Sequence, residues 1–198
     1  AIIDGPTFAN FGTLEMRFWY HMRGNPTGFT MGTMSLDVST DGGQTWTLDE
    51  WTLTGNQGAA WLEAVVDLTG YAGQALTVRF RGVTASFNSD MSIDDLSVSD
   101  VPGPVTPPIL PPTPPTATAF PYSEDFDAGF GLWTQVNTDD FDWDQNSGTT
   151  VSTNTGPQSD HTNGTGSYLY TESSYPNDNG KIAIIEGPTF TSFSSLEL

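Results

Sequence analysis

Carboxylates are the side chains of this sequence that are best placed to do chemistry. Asp and Glu outnumber Lys and Arg 24 to 5 among 198 residues, and cysteine is absent. Carboxylate oxygens are hard ligands that suit Ca²⁺, which takes roughly six to eight of them. Eleven of these acids are candidate ligands, at four places in the sequence: Asp90 with Asp94 and Asp95; Glu124 with Asp125 and Asp127; Asp139, Asp140, Asp142 and Asp144; and Asp160.

Known catalytic and metal-binding motifs are missing from the sequence. Asp142, Asp144 and Asn146 match the start of an EF-hand loop, but Ser147 stands where that loop requires glycine. Neither H-E-x-x-H nor G-x-S-x-G occurs. The lack of cysteine excludes thiol catalysis, disulfides and Cys-ligated zinc. We therefore expect no enzymatic activity, and we expect His21 and His161 to be structural.

The formal net charge of −19 excludes whole classes of partner. Nucleic acids and anionic membrane surfaces are bound through Lys and Arg, which are scarce here. No apolar run approaches the length of a membrane span, about 18 residues. The single lysine and the abundance of Thr, Ser, Gly and Asp are typical of extracellular proteins.

One sequence motif occurs twice. Residues 1–16 (AIIDGPTFANFGTLEM) align without gaps to residues 183–198 (AIIEGPTFTSFSSLEL), with ten identical positions and an offset of 182. This predicts a tandem array of units about 182 residues long. We assign residues 1–100 to the C-terminal part of one unit and residues 122–198 to the N-terminal part of the next.

Residues 101–121 form a proline-rich linker between the two parts. Nine of the fourteen prolines lie in this segment, which carries no charge. Proline fixes φ and removes hydrogen-bond donors, so the segment is predicted to be an extended polyproline II spacer of roughly 60 Å.

The pattern of polar and apolar residues predicts an all-β sandwich. Short alternating runs are separated by Gly, Asn and Asp clusters, and no segment has a helical apolar stripe. The predicted strands are 14–22, 34–38, 62–68, 75–80, 91–98, 134–136, 141–143, 167–170 and 181–185. Ser39–Trp46 (STDGGQTW) also fits the S-x-D-x-G-x-T-W pattern of an Asp-box hairpin.

The ordered set of motifs resembles the MAM domain, named after meprin, the A5 antigen and receptor phosphatase mu. The matches cover nearly all of the chain except the linker. The absence of cysteine departs from animal members and resembles a bacterial version. The matching segments are Gly5–Phe8, Phe18–Gly24, Gly55–Gly58 with Trp61, Tyr71–Gly73, Arg79–Gly82, Ser89–Asp90 with Ile93–Asp95, Ser123–Asp127, Phe130–Trp133, Asp139–Trp143, Thr155–Pro157, Asp160–Thr162 and Gly166–Tyr170.

The resemblance implies a jelly-roll β-sandwich and a non-catalytic role. A jelly roll interleaves strands from both ends of the chain, so neither 1–100 nor 122–198 is expected to close a core alone. Three arrangements stay open. The missing strands come from flanking sequence, neighbouring copies exchange strands, or the second part folds back onto the first.

The resemblance also implies a structural cation, Ca²⁺ or Na⁺, because some MAM domains are similar in carrying one. A jelly roll places its first strand beside its last, and carboxylates held together repel unless a cation neutralises them. The alternative is a solvated acidic rim. The expected ligands are Asp94, Asp95, Asp125, Asp127 and Asp160.

These features favour a structural and adhesive repeat of a long extracellular filament. Repetitive surface adhesins of gliding bacteria are similar in style. The expected partners are neighbouring repeats of the same chain and an extracellular glycan or protein. The alternative is a carbohydrate- or protein-binding accessory module of a secreted hydrolase. A sugar-stacking platform of aromatic residues is a further option, drawn from Trp46, Trp51, Trp61, Trp133, Trp143 and Tyr175.

Overall fold

Two packed β-sheets make up the structure, which is a computed structural model. It describes residues 11–24, 30–102, 116–117 and 121–190. Within these ranges the one helical element is a 3-10 turn at Thr69–Tyr71. The all-β sandwich expected from the sequence is confirmed.

The first sheet consists of six strands: β1 (Phe11–Met22), β4 (Leu62–Asp67), β6 (Met91–Pro102), β8 (Tyr122–Glu124), β10 (Asp144–Asn146) and β11 (Tyr168–Tyr170). They run in the order β10-β11-β6-β1-β4, and β8 pairs with the same edge of β6 as β11. All of these pairings are antiparallel.

The second sheet also consists of six strands: β2 (Thr33–Ser39), β3 (Thr47–Thr54), β5 (Leu76–Val83), β7 (Thr116–Ala117), β9 (Thr134–Gln135) and β12 (Ile182–Phe190). They run in the order β3-β2-β5-β12-β7, and β9 also pairs with β12. The pairings are antiparallel except that between β12 and β7, which is parallel.

Strand alternation builds the core between the sheets. In β4, Ala64 and Val66 point inward while Glu63, Val65 and Asp67 point outward. Apolar residues of the other long strands meet them from both sheets. These include Leu14, Met16, Phe18, Met34, Leu36, Val78, Phe80, Ile93, Val98, Ala183 and Ile185.

Both sheets contain strands from either side of the proline-rich segment. In the first sheet β6 pairs with β8 and β11, and in the second β5 pairs with β12 over most of its length. Here the second part of the chain therefore folds onto the first. The assignment of the two parts to successive units of an array stays a prediction.

The proline-rich segment is described only at its ends. Val101 and Pro102 extend β6, and Thr116–Ala117 pairs with β12. Residues 103–115 and 118–120 lie outside the described residues, so the polyproline II spacer stays a prediction.

The strand expected at 141–143 is wrong. Trp143 lies in a non-strand segment before β10, and its main chain is bound by a side chain. Gln135 Oε1 accepts from the Trp143 N–H at 3.1 Å, and Gln135 Nε2 donates to the Trp143 carbonyl at 2.5 Å. One amide side chain thus supplies both bonds that a neighbouring strand would have made.

The Asp-box hairpin joins β2 to β3 as expected. The Asp41 carboxylate accepts hydrogen bonds from Ser39 Oγ, Thr45 N and Thr45 Oγ1 at 2.6–2.8 Å, and these bonds lower the pKa of Asp41 to about 2. Gly42 and Gly43 have φ of 70° and 87°, which favours glycine. Trp46 Nε1 donates to the Gly43 carbonyl at 3.1 Å and closes the turn.

The buried carboxylate of Asp37 forms ion pairs with the guanidinium groups of Arg79 and Arg81 and so links β2 to β5 in the second sheet. Asp37 is fully buried and accepts from Arg79 Nε and Arg81 Nε at 3.0 Å each. Burial alone would raise the pKa of Asp37, but bonds from Arg81, the Asp49 N–H and Arg79 hold it below its ordinary value.

We predict that Asp37→Asn lowers the free energy of unfolding by about 3 kcal/mol, because it leaves the two arginines without their buried counter-charge. The control is Glu15→Gln, which breaks an exposed pair with Arg17 and should cost under about 1 kcal/mol. Urea unfolding at neutral pH measures both, and equal losses would contradict the role given to Asp37.

Candidate functional site

A β-bulge in β6 presents Asp94 and Asp95. Arg17 pairs with Ser97 but Trp19 pairs with Asp94, so β6 has one residue more than β1 at this point. Asp95 takes a φ of 47°, and the strand bends there. As a result Asp94 is fully buried, while the Asp95 side chain stays partly exposed.

The loop around Asp160 packs against this bulge. Asp160 Oδ2 accepts from Asn163 N and Asp160 Oδ1 from Gly166 N, both at 3.0 Å. The His161 N–H donates to Asp94 Oδ2 at 2.8 Å. The Asp160 carboxylate thus organises the loop, and the Asp94 carboxylate anchors it to β6.

His161 links the bulge to two aromatic side chains. Its ring stacks on Trp19 with centroids 3.7 Å apart and an interplanar angle of 17°. Its Nδ1 hydrogen-bonds the Asp95 carboxylate, which also accepts from Thr162 Oγ1 at 2.6 Å. The ring centroid of Trp61 lies 6.2 Å from that of His161, in a T-shaped arrangement. These contacts attach the loop around Asp160 to β1 and β6 through His161, and the purely structural role of the two histidines stays a prediction.

Burial, together with neighbouring negative charge, perturbs the pKa of Asp94. Burial raises its pKa to about 7, and the charges of Asp95 and Asp160 add to this effect, while the N–H groups of His161 and Asp95 oppose it. Three of the five predicted cation ligands therefore lie close enough to influence one another.

Asp125 lies across a cleft from Asp95. The two line a cavity of about 320 Å³, together with Glu124 and Thr162, because β8 pairs beside the bulge. Burial raises the pKa of Glu124, and the charge of Asp125 adds to it. Asp127 lies further along, where its Oδ1 accepts from Ser167 N at 2.6 Å.

The carboxylates of the predicted cation site are already hydrogen-bonded within the protein. Asp94 and Asp160 each have both oxygens occupied by main-chain N–H groups, and Asp95 is bound to His161 and Thr162. Among the described residues no group of three or more His, Asp or Glu side chains is arranged to hold a metal ion. Calcium binding stays a prediction.

A second depression is lined by Trp61 and Arg23, and sequence reasoning missed it. Two adjoining cavities of about 320 Å³ each share Arg23, Pro157 and Gln158, and we call them the Arg23 groove. One cavity is lined by Thr149–Thr155 and the other by His21, Ala59, Trp61 and Ser159. The sequence signal was the scarcity of cations, which makes any unpaired arginine notable.

Most of the aromatic residues considered for sugar stacking are unavailable. Trp133 and Trp143 are 2% and 1% exposed and belong to the core. Trp51 packs against Phe18, and the Trp46 ring lies beneath Arg79 at 4.2 Å. Trp61 is partly exposed and lines the Arg23 groove, whereas Tyr175 is exposed outside the described cavities.

Comparison with protein families gives a match over both parts of this sandwich. The model of the MAM domain, meprin/A5/mu, matches residues 5–102 and 125–196. The chain belongs to the MAM family. MAM domains are extracellular adhesive modules that are generally non-catalytic. No solved structure matches the chain. The described part of this MAM chain has no helix long and apolar enough to cross a bilayer.

The raised pKa of Asp94 predicts a pH-dependent stability. The folded chain holds the Asp94 proton more tightly than the unfolded chain, whose Asp pKa is about 3.9. The contribution of Asp94 is therefore fully present below about pH 4 and is lost as the pH rises through about 7.

We expect the free energy of unfolding of the wild type, relative to Asp94→Asn, to fall as the pH rises from about 4 to about 7. Urea unfolding in EDTA across this range measures the difference, since the asparagine of the variant does not titrate. A difference that is independent of pH would contradict the electrostatic description of the bulge.

Proposed function

We propose that this chain is a structural and adhesive module that repeats along an extracellular cell-surface filament. Membership of the MAM family supports the adhesive and extracellular part of the proposal. The repeated 16-residue motif supports the array. The finer picture, a bacterial surface adhesin of the kind used in gliding, rests on the cysteine-free sequence and the proline-rich spacer.

The observation that carries the proposal is where the repeated motif lies in the fold. Its second copy supplies Ala183, Ile185 and Phe190, all buried, in β12. The end of its first copy supplies the buried Leu14 and Met16 in β1. The sequence therefore repeats at core positions of both sheets, which favours repetition of the whole fold rather than of a surface motif.

The ends of the two motif strands favour a continuous array. The Leu68 N–H donates to the Leu14 carbonyl at 2.8 Å, and Phe190 pairs with Leu76. Leu68 and Leu76 flank the 3-10 turn that joins β4 to β5, so β1 begins and β12 ends at the same end of the sandwich. In the aligned motif, position 190 corresponds to position 8, and β1 begins at Phe11. In an array, two residues would therefore connect a strand like β12 to the next strand like β1. Because β12 ends and β1 begins at the same end of the sandwich, the fold can accommodate so short a connection.

The test is the complete reading frame together with surface labelling. We expect several further copies of the 182-residue unit, labelling of intact cells by antibodies against this chain, and weaker adhesion when the reading frame is deleted. A single mid-length secreted protein without further copies would contradict the proposal.

The alternative is an accessory binding module of a secreted hydrolase, favoured specifically by the Arg23 groove. A catalytic domain in the same reading frame would support it in place of the filament.

Calcium binding is tested separately. Calorimetric titration of the EDTA-treated chain with Ca²⁺ should give saturable heat that is lost in Asp95→Asn and kept in Asp142→Asn, which changes an exposed acid outside the bulge. Absence of heat in the wild type, with no change of Tm between EDTA and Ca²⁺, would rule out the cation site.

A further inference from the structure

Arg23 differs from every other basic side chain of the molecule. Among the described residues it is the one Lys or Arg without a carboxylate partner, in a chain with a net charge of −19. The other four are paired as follows: Arg17 with Glu15 and Glu63, Arg79 with Asp37, Arg81 with Asp37 and Asp49, and Lys181 with Asp140.

The groove around Arg23 contains no opposing charge in the part of the chain that the structure describes. None of the residues lining its two cavities is acidic. Its wall carries neutral hydroxyl and amide groups from Thr149, Ser152, Thr153, Asn154 and Gln158. The half-buried Arg23 therefore lines a polar groove in which no described side chain neutralises the positive charge of its guanidinium group.

A buried polar atom in the same groove also lacks a partner. His21 is 1% exposed and lines the cavity with Arg23, and its Nδ1 has no hydrogen-bond partner among the described residues. Leaving such an atom unpaired is costly, so buried side-chain atoms of this kind are normally satisfied. Burial lowers the pKa of His21 to about 4 and the charge of Arg23 adds to this effect, while a hydrogen bond with the Ala59 main chain opposes it, so the imidazole is neutral at pH 7.

The groove is rigidly built and has an aromatic face. Trp61 Nε1 donates to the Ser159 carbonyl at 3.1 Å, which fixes the indole at one end. At the other end, the buried Asp90 accepts from Thr155 Oγ1 at 2.5 Å. Gly156 has a φ of 57°, and a Cβ there would lie 2.4 Å from Thr150 Cγ2, so glycine is required to keep this wall in place.

We propose that the Arg23 groove binds a carboxylate-bearing saccharide. Arg23 pairs with the sugar carboxylate, a sugar ring lies against Trp61, and sugar hydroxyls bond His21 Nδ1 and the amide and hydroxyl groups of the wall. Each cavity lies in the size range of small-ligand sites, roughly 300–1,000 Å³. The inference takes only its extracellular setting from the proposed function.

A saccharide fits this groove better than an acidic peptide does. The lining combines one positive charge, one aromatic face and many small hydroxyl and amide groups, which matches a ring rich in hydroxyls with one carboxylate. A run of Asp or Glu side chains requires several cations, and the described lining of the groove contains one.

The probes are a galactose oligomer that carries a single galacturonate residue, a neutral galactose oligomer of the same length, and a tetra-aspartate peptide. Calorimetry and ¹⁵N NMR of the full chain provide the readouts. We expect saturable binding of the uronate, shifts of the Trp61 indole and His21 ring signals, and binding of the neutral oligomer and the peptide that is weaker by about tenfold or more.

The variants are Arg23→Gln and Gln158→Ala, with Arg17→Gln as the matched control on the preceding strand but outside the groove. Arg23→Gln should weaken uronate binding by about tenfold or more at unchanged Tm. Gln158→Ala, which removes an amide that lines both cavities, should weaken it less, and Arg17→Gln should leave it unchanged.

Three results would overturn the inference: no uronate binding up to about 10 mM, equal affinity in wild type and Arg23→Gln, or tetra-aspartate binding as tightly as the uronate. None of them bears on the number of repeats or on surface labelling, so the groove and the filament fail independently.

Discussion

The pairing of β6 with strands from both sides of the proline-rich segment is the interaction on which the rest of the structure depends. One edge of β6 pairs with β1, and the other pairs with β8 and then with β11. Buried Asp90, just before β6, accepts hydrogen bonds from Thr155 and Ser173 across the same junction. Without the second part of the chain this carboxylate and one edge of β6 would be left unpaired.

Both candidate sites follow from this junction. The bulge at Asp94–Asp95 is covered by the loop around Asp160, and the Arg23 groove lies between the end of β1 and the loop that begins at Thr149. Each site therefore exists only when the two parts of the chain are folded together.

The sequence predicted most of the long strands because their signal is local, but it missed β3 (Thr47–Thr54), which has no fully buried residue and therefore no clear apolar alternation. Alternation in β1, β2 and β4 places one face in the core, and the glycine and Asp pattern of residues 39–46 specifies its own hairpin. Trp143 was misassigned because its main chain is bound by the Gln135 side chain, a contact that periodicity does not reveal.

The candidate sites were only partly predictable. Asp94, Asp95 and Asp160 were expected to meet, and they do, but the hydrogen bonds that occupy their oxygens depend on loop geometry. The Arg23 groove could not be foreseen, since it combines residues near 21–23, 59–61 and 149–159 that are distant in sequence. Arg23 stands out only because the structure shows that each of the other four Lys and Arg side chains is paired with a carboxylate.

The most direct test of the shared sandwich is to cut the chain within residues 103–115, using a protease site introduced there. If β6 and β5 bind the second part as described, the two pieces stay together in size-exclusion chromatography. They then unfold in one cooperative transition, and neither piece folds when purified alone. Pieces that separate on cutting, or that each unfold cooperatively in isolation, would contradict the account.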